Sequence, residues 1–445
     1  MALLEAVSEK LWSPWLLGLF LVTGLVYSIG SGFFQFFDAP LWLRTTFGSL
    51  FRHHEQMHSG LSPVQALATA LASTMGTGSI AGVAAALTLG GPGAIFWMWV
   101  SALLGMMTSC GEKLLSVRYQ VLAPDGRLQG GPMFYLRDGL HAPILATLFS
   151  LACIPATLAG GDLIQSAAIA DSFSAPLGAS RGTVGLCTAL LAGLVMVGGV
   201  GRIAHVSSAL VPIMALLYLG SGAAVLLLRA SALPDALHLI FTCALSPSAA
   251  IGGYTASAAL RYGVARGVFT NEAGLGTSAM AHGAAKTDHP ASQGMWGIFE
   301  VALSTLLVCT VTALVILVGG VWQPNINHQL TGAALTAASF GAVLGPLGEA
   351  VVRVSLPLFA FSSILGWSYY GQQALRFLTG GDRLLIPYRL LFLSCVWLGS
   401  VWDTGALWQL VDFCNALMAL PNLTALLLLA PQALTLLKQW RDKIF

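Results

Sequence analysis

Residues 73–79 read Ser-Thr-Met-Gly-Thr-Gly-Ser, and residues 271–278 read Asn-Glu-Ala-Gly-Leu-Gly-Thr-Ser. Each stretch sets a Gly-x-Gly and hydroxyl side chains inside a long apolar run. Glycine costs a helix interior about 1 kcal/mol relative to alanine, so the two clusters mark places where helices are expected to unwind. Unwinding exposes backbone N–H and C=O groups that lipid cannot satisfy. A bound zwitterion and a cation can: half-helix N-termini favour a carboxylate, and freed carbonyls coordinate a sodium-sized ion. Glycine used only for close helix packing is the competing reading, and it serves for Gly78 and Gly82 taken alone. A dinucleotide fingerprint does not fit, because Gly76, Gly78 and Gly82 follow G-x-G-x-x-x-G with no βαβ context.

The surroundings of both clusters are those of a membrane protein. Of 445 residues, 56% are hydrophobic and 9% charged, against about 25% charged in a soluble chain. So few charges cannot clothe a soluble surface, and most of the exterior must face lipid. The net charge of +2, with no basic run, leaves no footprint for nucleic acid. The cysteines at 110, 153, 187, 243, 309, 395 and 414 stand singly, without a CxxC pair, and read as small packing residues.

A span needs about 20 mostly apolar residues. Candidates are 14–37, 63–90, 92–120, 142–170, 182–200, 204–229, 251–281, 293–320, 345–377, 385–402 and 406–436, eleven in all. The run 14–37 is too long for a signal-peptide core and reads as the first span. Segment 233–247 is short and reads as an interfacial helix, and the whole chain reads as one transmembrane domain.

Lys and Arg favour cytoplasmic loops. With the N-terminus outside, Arg44, Arg52, Lys113, Arg118, Arg127, Arg137, Arg202, Lys286, Arg376, Arg383, Arg389, Lys438, Arg441 and Lys443 fall at or near the inner side. Only Lys10, Arg181 and Arg229 fall clearly outside. The expectation is a multi-pass cell-membrane protein, N-terminus out and C-terminus in. The Gly-x-Gly clusters lie in the second and seventh spans. An offset of five gives the two halves opposite topology, as an inverted repeat requires, and matched glycine-interrupted spans point to a transporter's midplane site.

These features resemble the alanine/glycine:cation symporter family, also called sodium:alanine symporters. The matching stretches are Met75–Leu87, Gly90–Val100, Gly130–Tyr135 (GGPMFY), Gly267–Gly276 (GVFTNEAGLG), Leu365–Gly371 (LGWSYYG) and Leu417–Leu423 (LMALPNL), in family order. The resemblance runs from about Trp12 to Pro431. It implies an all-α, five-plus-five inverted-repeat fold with two broken helices: an extra helix at 14–37, a first repeat over about 63–229 and a second over about 251–436. By the same resemblance, Thr77 and Gly78, with Ser79, hold the substrate carboxylate through backbone N–H groups. Carbonyls at Ala72 and Met75, with the hydroxyls of Ser362 and Ser363, face a sodium ion. Asn271, Ala273 and Gly274 hold the other side of the substrate, Trp367 closes over its side chain, and Gln165 lines the cavity. Mid-helix serines also bond back to their own helix, Trp367 could be a packing residue, and Gln165 could join helices.

Four positions depart from the family pattern. Ser79 and Asp162 stand where Asn is usual, Ser304 where Asp is common, and Gln372 where Glu is found. The change at Ser79 puts a second sodium site in question. Asp162, an ionisable residue within a span, is a candidate coupling residue; a solvated or Gln165-paired carboxylate is the alternative. Glu300 is a similar case, and Glu272 is a possible partner of Arg266. Asp412 and Asn415 match the family.

The implied function is symport of a small amino acid (alanine, glycine or D-alanine) with sodium or a proton. No cofactor, nucleic acid or obligate protein partner is implied; lipid surrounds the chain. A facilitator or channel and a transport-inactive sensor remain rivals. An enzyme is disfavoured by the lack of HExxH, a Ser-His-Asp constellation or a nucleotide loop. The histidines fall mostly in loops, and His53, His54 and His58 are the one group to weigh as a metal site.

Overall fold

The structure is a computed structural model that describes residues 10–50, 60–245, 255–323, 330–402 and 405–444. His53, His54, His58, Arg52 and the first residues of the 251–281 span lie outside the described residues. Pro14 opens helix α1 (Pro14–Gly30), which ends earlier than the expected span: Phe33 turns left-handed at φ 56°, and short helices Phe34–Phe37, Ala39–Thr45 and Phe47–Leu50 follow. Helix α2 (Pro63–Thr74) starts with a reciprocal cap, in which Gln65 N–H donates to Ser62 Oγ and Ser62 N–H to Gln65 Oε1. Such a box fixes a helix start by satisfying two orphan donors.

After the first break come α3 (Ala81–Gly90) and α4 (Gly93–Arg118). A hairpin of β1 (Val121–Leu122) and β2 (Leu128–Gln129), paired antiparallel, leads into a short helix Pro132–Phe134 and a wide turn Tyr135–Gly139. Helix α5 (Pro143–Ser174) carries a wide π turn at Ala159–Leu163. Then follow α6 (Arg181–Val197), α7 (Gly199–Leu228) and the short α8 (Leu233–Leu245), which buries Ala236, Ile240 and Ala244 along one face. The second broken span is α9 (Ala256–Asn271) and α10 (Thr277–His282). The chain ends with α11 (Pro290–Val318), α12 (Gly332–Leu344), α13 (Pro346–Thr379), α14 (Leu385–Val401) and α15 (Gly405–Ile444).

Among the described residues, six helices are long and apolar enough to cross a bilayer: α4, α5, α7, α11, α13 and the Gln409–Ile444 part of α15. Helices α1, α6 and α14 each have 17 residues, at the short limit for a span. The remaining two expected spans are the broken ones. Helix α12 falls outside the expected spans; its 13 residues are too few to cross, and it folds back on α13 at Gly345, where φ is 63°.

Burial is reversed relative to a soluble protein. Leu194, Leu216 and Leu390 are 66%, 75% and 62% exposed, while Glu112, Lys113, Asp162 and Glu300 are fully buried. Lipid accepts the leucines at no cost, and the charged groups gather inside with one another. Lys113 is therefore interior and does not count toward the loop-charge bias. Helix α4 is the central post, packed against α9 and α11. Gly263 permits that approach, since a Cβ there would overlap the carbonyl of Ala94.

Candidate functional site

Helix α2 stops where the Gly-x-Gly stretch begins. Met75 N–H still reaches Leu71 O at 2.9 Å, but Met75 sits at φ −85°, ψ 58°, and Gly76 is extended. A single 3₁₀ turn, Thr77–Ser79, follows before α3 starts. The freed groups are taken up by side chains from distant helices. Ser362 Oγ donates to Ala72 O at 3.1 Å, and Ser363 Oγ donates to Ser73 O at 2.8 Å. On the far side of the break, Thr312 Oγ1 donates to Ser79 O at 2.9 Å and Thr336 Oγ1 to Ile80 O at 3.2 Å.

Ala72, Ser362 and Ser363 are thus brought together, with Ser73 added to them. Ser73 Oγ is also within 2.7 Å of Tyr370 OH. Ser362 makes the within-helix bond too, to Phe359 O at 2.9 Å. The set offers neutral carbonyl and hydroxyl oxygens, the donor type that hard cations such as sodium take, with the Met214 thioether 3.5 Å from Ser362 Oγ.

The Thr77 N–H donates to Gln165 Oε1 at 3.3 Å, and Gln165 Nε2 donates to Gly160 O at 3.2 Å. Gln165 therefore bridges the first break and the wide turn of α5. A Cβ on Gly78 would lie 3.1 Å from Phe269 and 3.3 Å from Thr270 Oγ1, so the first break abuts the last turn of α9. The 3₁₀ turn packs against the π turn Ala302–Cys309 of α11, which carries Ser304 and Thr305. The hydroxyls of Thr77, Ser304 and Thr305 are buried without a hydrogen-bond partner among the described residues.

The second break runs from Asn271 to Gly276. Glu272 is left-handed at φ 55°, and Gly274 and Gly276 have φ 93° and 81°, conformations that glycine adopts without penalty. Most of its polar groups are braced internally, while Asn271 Nδ2 is buried without a hydrogen-bond partner among the described residues. Gly274 N–H donates to Glu112 Oε1 at 2.9 Å, and Asn422 Nδ2 donates to both Glu112 Oε1 at 2.7 Å and Gly274 O at 2.9 Å. Asn271 Oδ1 accepts from Ala273 N–H at 3.0 Å, and its amide faces Gly105 of α4. Glu272 accepts from Thr277 Oγ1. Phe269 and Thr270, just ahead of Asn271, are the residues that face Gly78 of the first break.

The model of the sodium:alanine symporter family matches residues 1–444. The chain belongs to the sodium:alanine symporter family. It is 38% identical over 434 residues to the sodium/alanine symporter AgcS of Methanococcus maripaludis, covering 96% of this chain and 94% of that protein. It is 41% identical over 437 residues to an uncharacterized transporter of Haemophilus influenzae, covering 96% and 93%. The fold is that of MhsT, whose crystal structure in complex with L-phenylalanine superposes with a TM-score of 0.61 over 84% of this chain and 90% of MhsT, at 14% identity.

The departures of this sodium:alanine symporter family member from the common pattern have defined places. Asp162 lies in the α5 π turn, fully buried, and neither carboxylate oxygen has a hydrogen-bond partner among the described residues. Gln372 Oε1 accepts from Arg389 Nε at 2.9 Å and Nη2 at 2.8 Å. Ser79 packs beside Cys309. Trp367, 4% exposed, packs the base of its side chain against Gly161 of the same π turn, where a Cβ would overlap its own. Sequence reasoning passed over Glu112, Asn422, Thr312 and Thr336. A Glu-Lys pair inside an apolar span was the available signal for Glu112; the threonines gave none.

Proposed function

We propose that this chain is a secondary active symporter that couples uptake of a small amino acid of the alanine and glycine class to a sodium gradient by alternating access. The observation that carries the reading is the meeting of Ser362 and Ser363 with the carbonyls of Ala72 and Ser73 at the end of α2. An ion held there joins α13 to the broken helix, so its arrival changes the break where the substrate carboxylate is read. In this reading Thr77 and Gly78 present backbone N–H groups to that carboxylate, Ser79 lies beside them with its own N–H donated to Gly76 O at 3.2 Å, and Gln165 occupies the Thr77 donor until substrate displaces it. Met75 contributes a carbonyl to the ion. Asn271 and Gly274 shape the site at one remove, through the braced second break. Trp367 limits side-chain size by fixing the α5 π turn.

Asp162 is the coupling residue in this scheme. A buried carboxylate without a donor is satisfied by a cation or a proton, and either makes occupancy of the site ion-dependent. The two halves, about 63–229 and 251–436, act as inverted repeats, with the N-terminus outside and the C-terminus in the cytoplasm. A cavity of about 710 Å³ between α5, α12 and α13, lined by Asp171, Glu349 and Arg353 among others, is the outer vestibule. The protein in proteoliposomes is expected to accumulate labelled alanine above the external concentration under an inward sodium gradient, and a sodium ionophore is expected to abolish accumulation. Uptake that only equilibrates, with or without the gradient, would show a facilitator instead.

A further inference from the structure

Behind the second break lies a polar cluster that the substrate and sodium sites do not use. Glu112, Lys113, Glu300, His282 and Glu272 are at most 1% exposed. Lys113 Nζ donates to Ser109 Oγ at 2.7 Å and Ser278 Oγ at 2.6 Å, and lies 3.4 Å from Glu300 Oε2 and 3.6 Å from Glu112 Oε2. On the other side of Glu300, His282 Nε2 is 3.2 Å from the same Oε2. His282 Nδ1 lies 2.6 Å from Gln293 Nε2, and Gln293 Oε1 is buried without a hydrogen-bond partner among the described residues.

Three carboxylates face one ammonium. Were all three carboxylates ionised, a neutral imidazole would leave two uncompensated negative charges away from water, an arrangement that burial penalises heavily and a proton within the cluster relieves. The amide of Gln293 shows where a proton fits. With Nε2 toward the ring, Nδ1 accepts and the imidazole is neutral. Turned over, Oε1 accepts from a protonated Nδ1, and the orphan oxygen gains its partner; amide orientation and imidazole protonation follow each other. The imidazolium then donates to Glu300 on one side and to Gln293 on the other. It also ends α10, where the helix dipole favours a cation.

We infer that His282, Glu300 and Gln293 form a proton-binding site, with Lys113 as its fixed counter-charge, that fastens α10 to α11. The groups facing it from neighbouring elements are Glu112 and Lys113 of α4, Glu272 of the second break, Tyr369 and Tyr370 of α13 and Tyr135 of the turn after the hairpin. The tyrosines ionise only near ~10 in ordinary surroundings and stay neutral through the range where histidine titrates. Proton loss removes the charged donor between α10 and α11 and loosens the inner arm of the second broken span. The site is separate from the Ser362–Ser363 oxygens and does not depend on sodium being the coupling ion.

The test reads the proton directly and needs no transport. Nitrogen-15 histidine-labelled full-length protein in lipid nanodiscs is titrated by NMR between about pH 5 and 8, the range of histidine switching. With nine histidines in the chain, His282→Asn assigns the resonance. The wild type is expected to pass from the Nε2–H tautomer to imidazolium within that range. Glu300→Gln is expected to lose about tenfold or more in proton affinity, since an adjacent opposite charge is worth about one to three pH units. Gln293→Leu serves as the second variant, also expected to bind the proton more weakly, should Glu300→Gln fail to fold. A His282 signal held in one protonation state throughout overturns the inference, as does a midpoint that neither variant moves.

Discussion

Ser363 Oγ donates to the carbonyl of Ser73 across 2.8 Å, tying α13 to the last turn of α2 just before that helix unwinds. Two residues 290 positions apart thus define one end of the break, and Ser362, bonded to Ala72 O, repeats the tie one residue earlier. Neither carbonyl lies in the unwound segment itself. The cation end of the site is built on the intact turn of α2, and the substrate end on the turn that follows.

Ser362→Ala and Ser363→Ala each remove one oxygen from the proposed ion. Hydrogen-bonding and ion contacts of this kind are worth about 1.5–3 kcal/mol, so each variant is expected to raise the half-saturating sodium concentration about tenfold or more. Alanine uptake measured against sodium checks this. Unchanged sodium dependence in both would place the ion elsewhere.

A Cβ on Gly78 would sit only 3.1–3.3 Å from Phe269 and Thr270, a tight contact. Alanine needs a shift of a few tenths of an ångström, whereas valine brings two further methyl groups into the same contact. Gly78→Val is expected to abolish uptake with the protein still in the membrane, and Gly78→Ala to retain part of it. Normal transport by the valine variant would remove the substrate from the first break.

Asp162→Asn keeps the shape of the π turn and removes the charge. An unpaired charge at the bilayer centre costs roughly 3 kcal/mol on insertion scales, which one cation contact offsets. The variant is expected to alter the sodium or pH dependence of uptake more than alanine affinity at saturating sodium. Sodium titrations at two pH values, superimposable between the two forms, would make Asp162 a bystander.

Trp367→Ala removes the ring that rests on Gly161 and lies edge-on to Tyr370, with centroids 5.9 Å apart. Widened acceptance of larger amino acids, measured by competition against labelled alanine, is expected. Loss of alanine binding without any broadening would make Trp367 purely a support of the α5 turn.

Both breaks were legible because glycine pairs with hydroxyls have no local reason to sit in an apolar helix. Ser362 and Ser363 were legible only through the family resemblance, since mid-helix serines carry no signal of their own. The early end of α1 was not legible: hydropathy continues through Phe37, and only the left-handed turn at Phe33 ends the helix. Lys113 read as a loop charge because its partners, Glu300 and Ser278, are far away in sequence. For the same reason the sequence did not show that the donor and acceptor of Gly274 are taken by Glu112, 162 residues distant, and Asn422.

The carbonyls on the two sides of the first break answer to different helices. Upstream, Ala72 and Ser73 are bound by α13; downstream, Ser79 and Ile80 are bound by Thr312 of α11 and Thr336 of α12. Met75, Gly76 and Thr77 are therefore a joint whose two arms are hydrogen-bonded to different helices. In the proposed scheme an ion between α2 and α13 bears on the upstream arm alone, so the ion and the turn that follows the break act on different sets of contacts along one polypeptide.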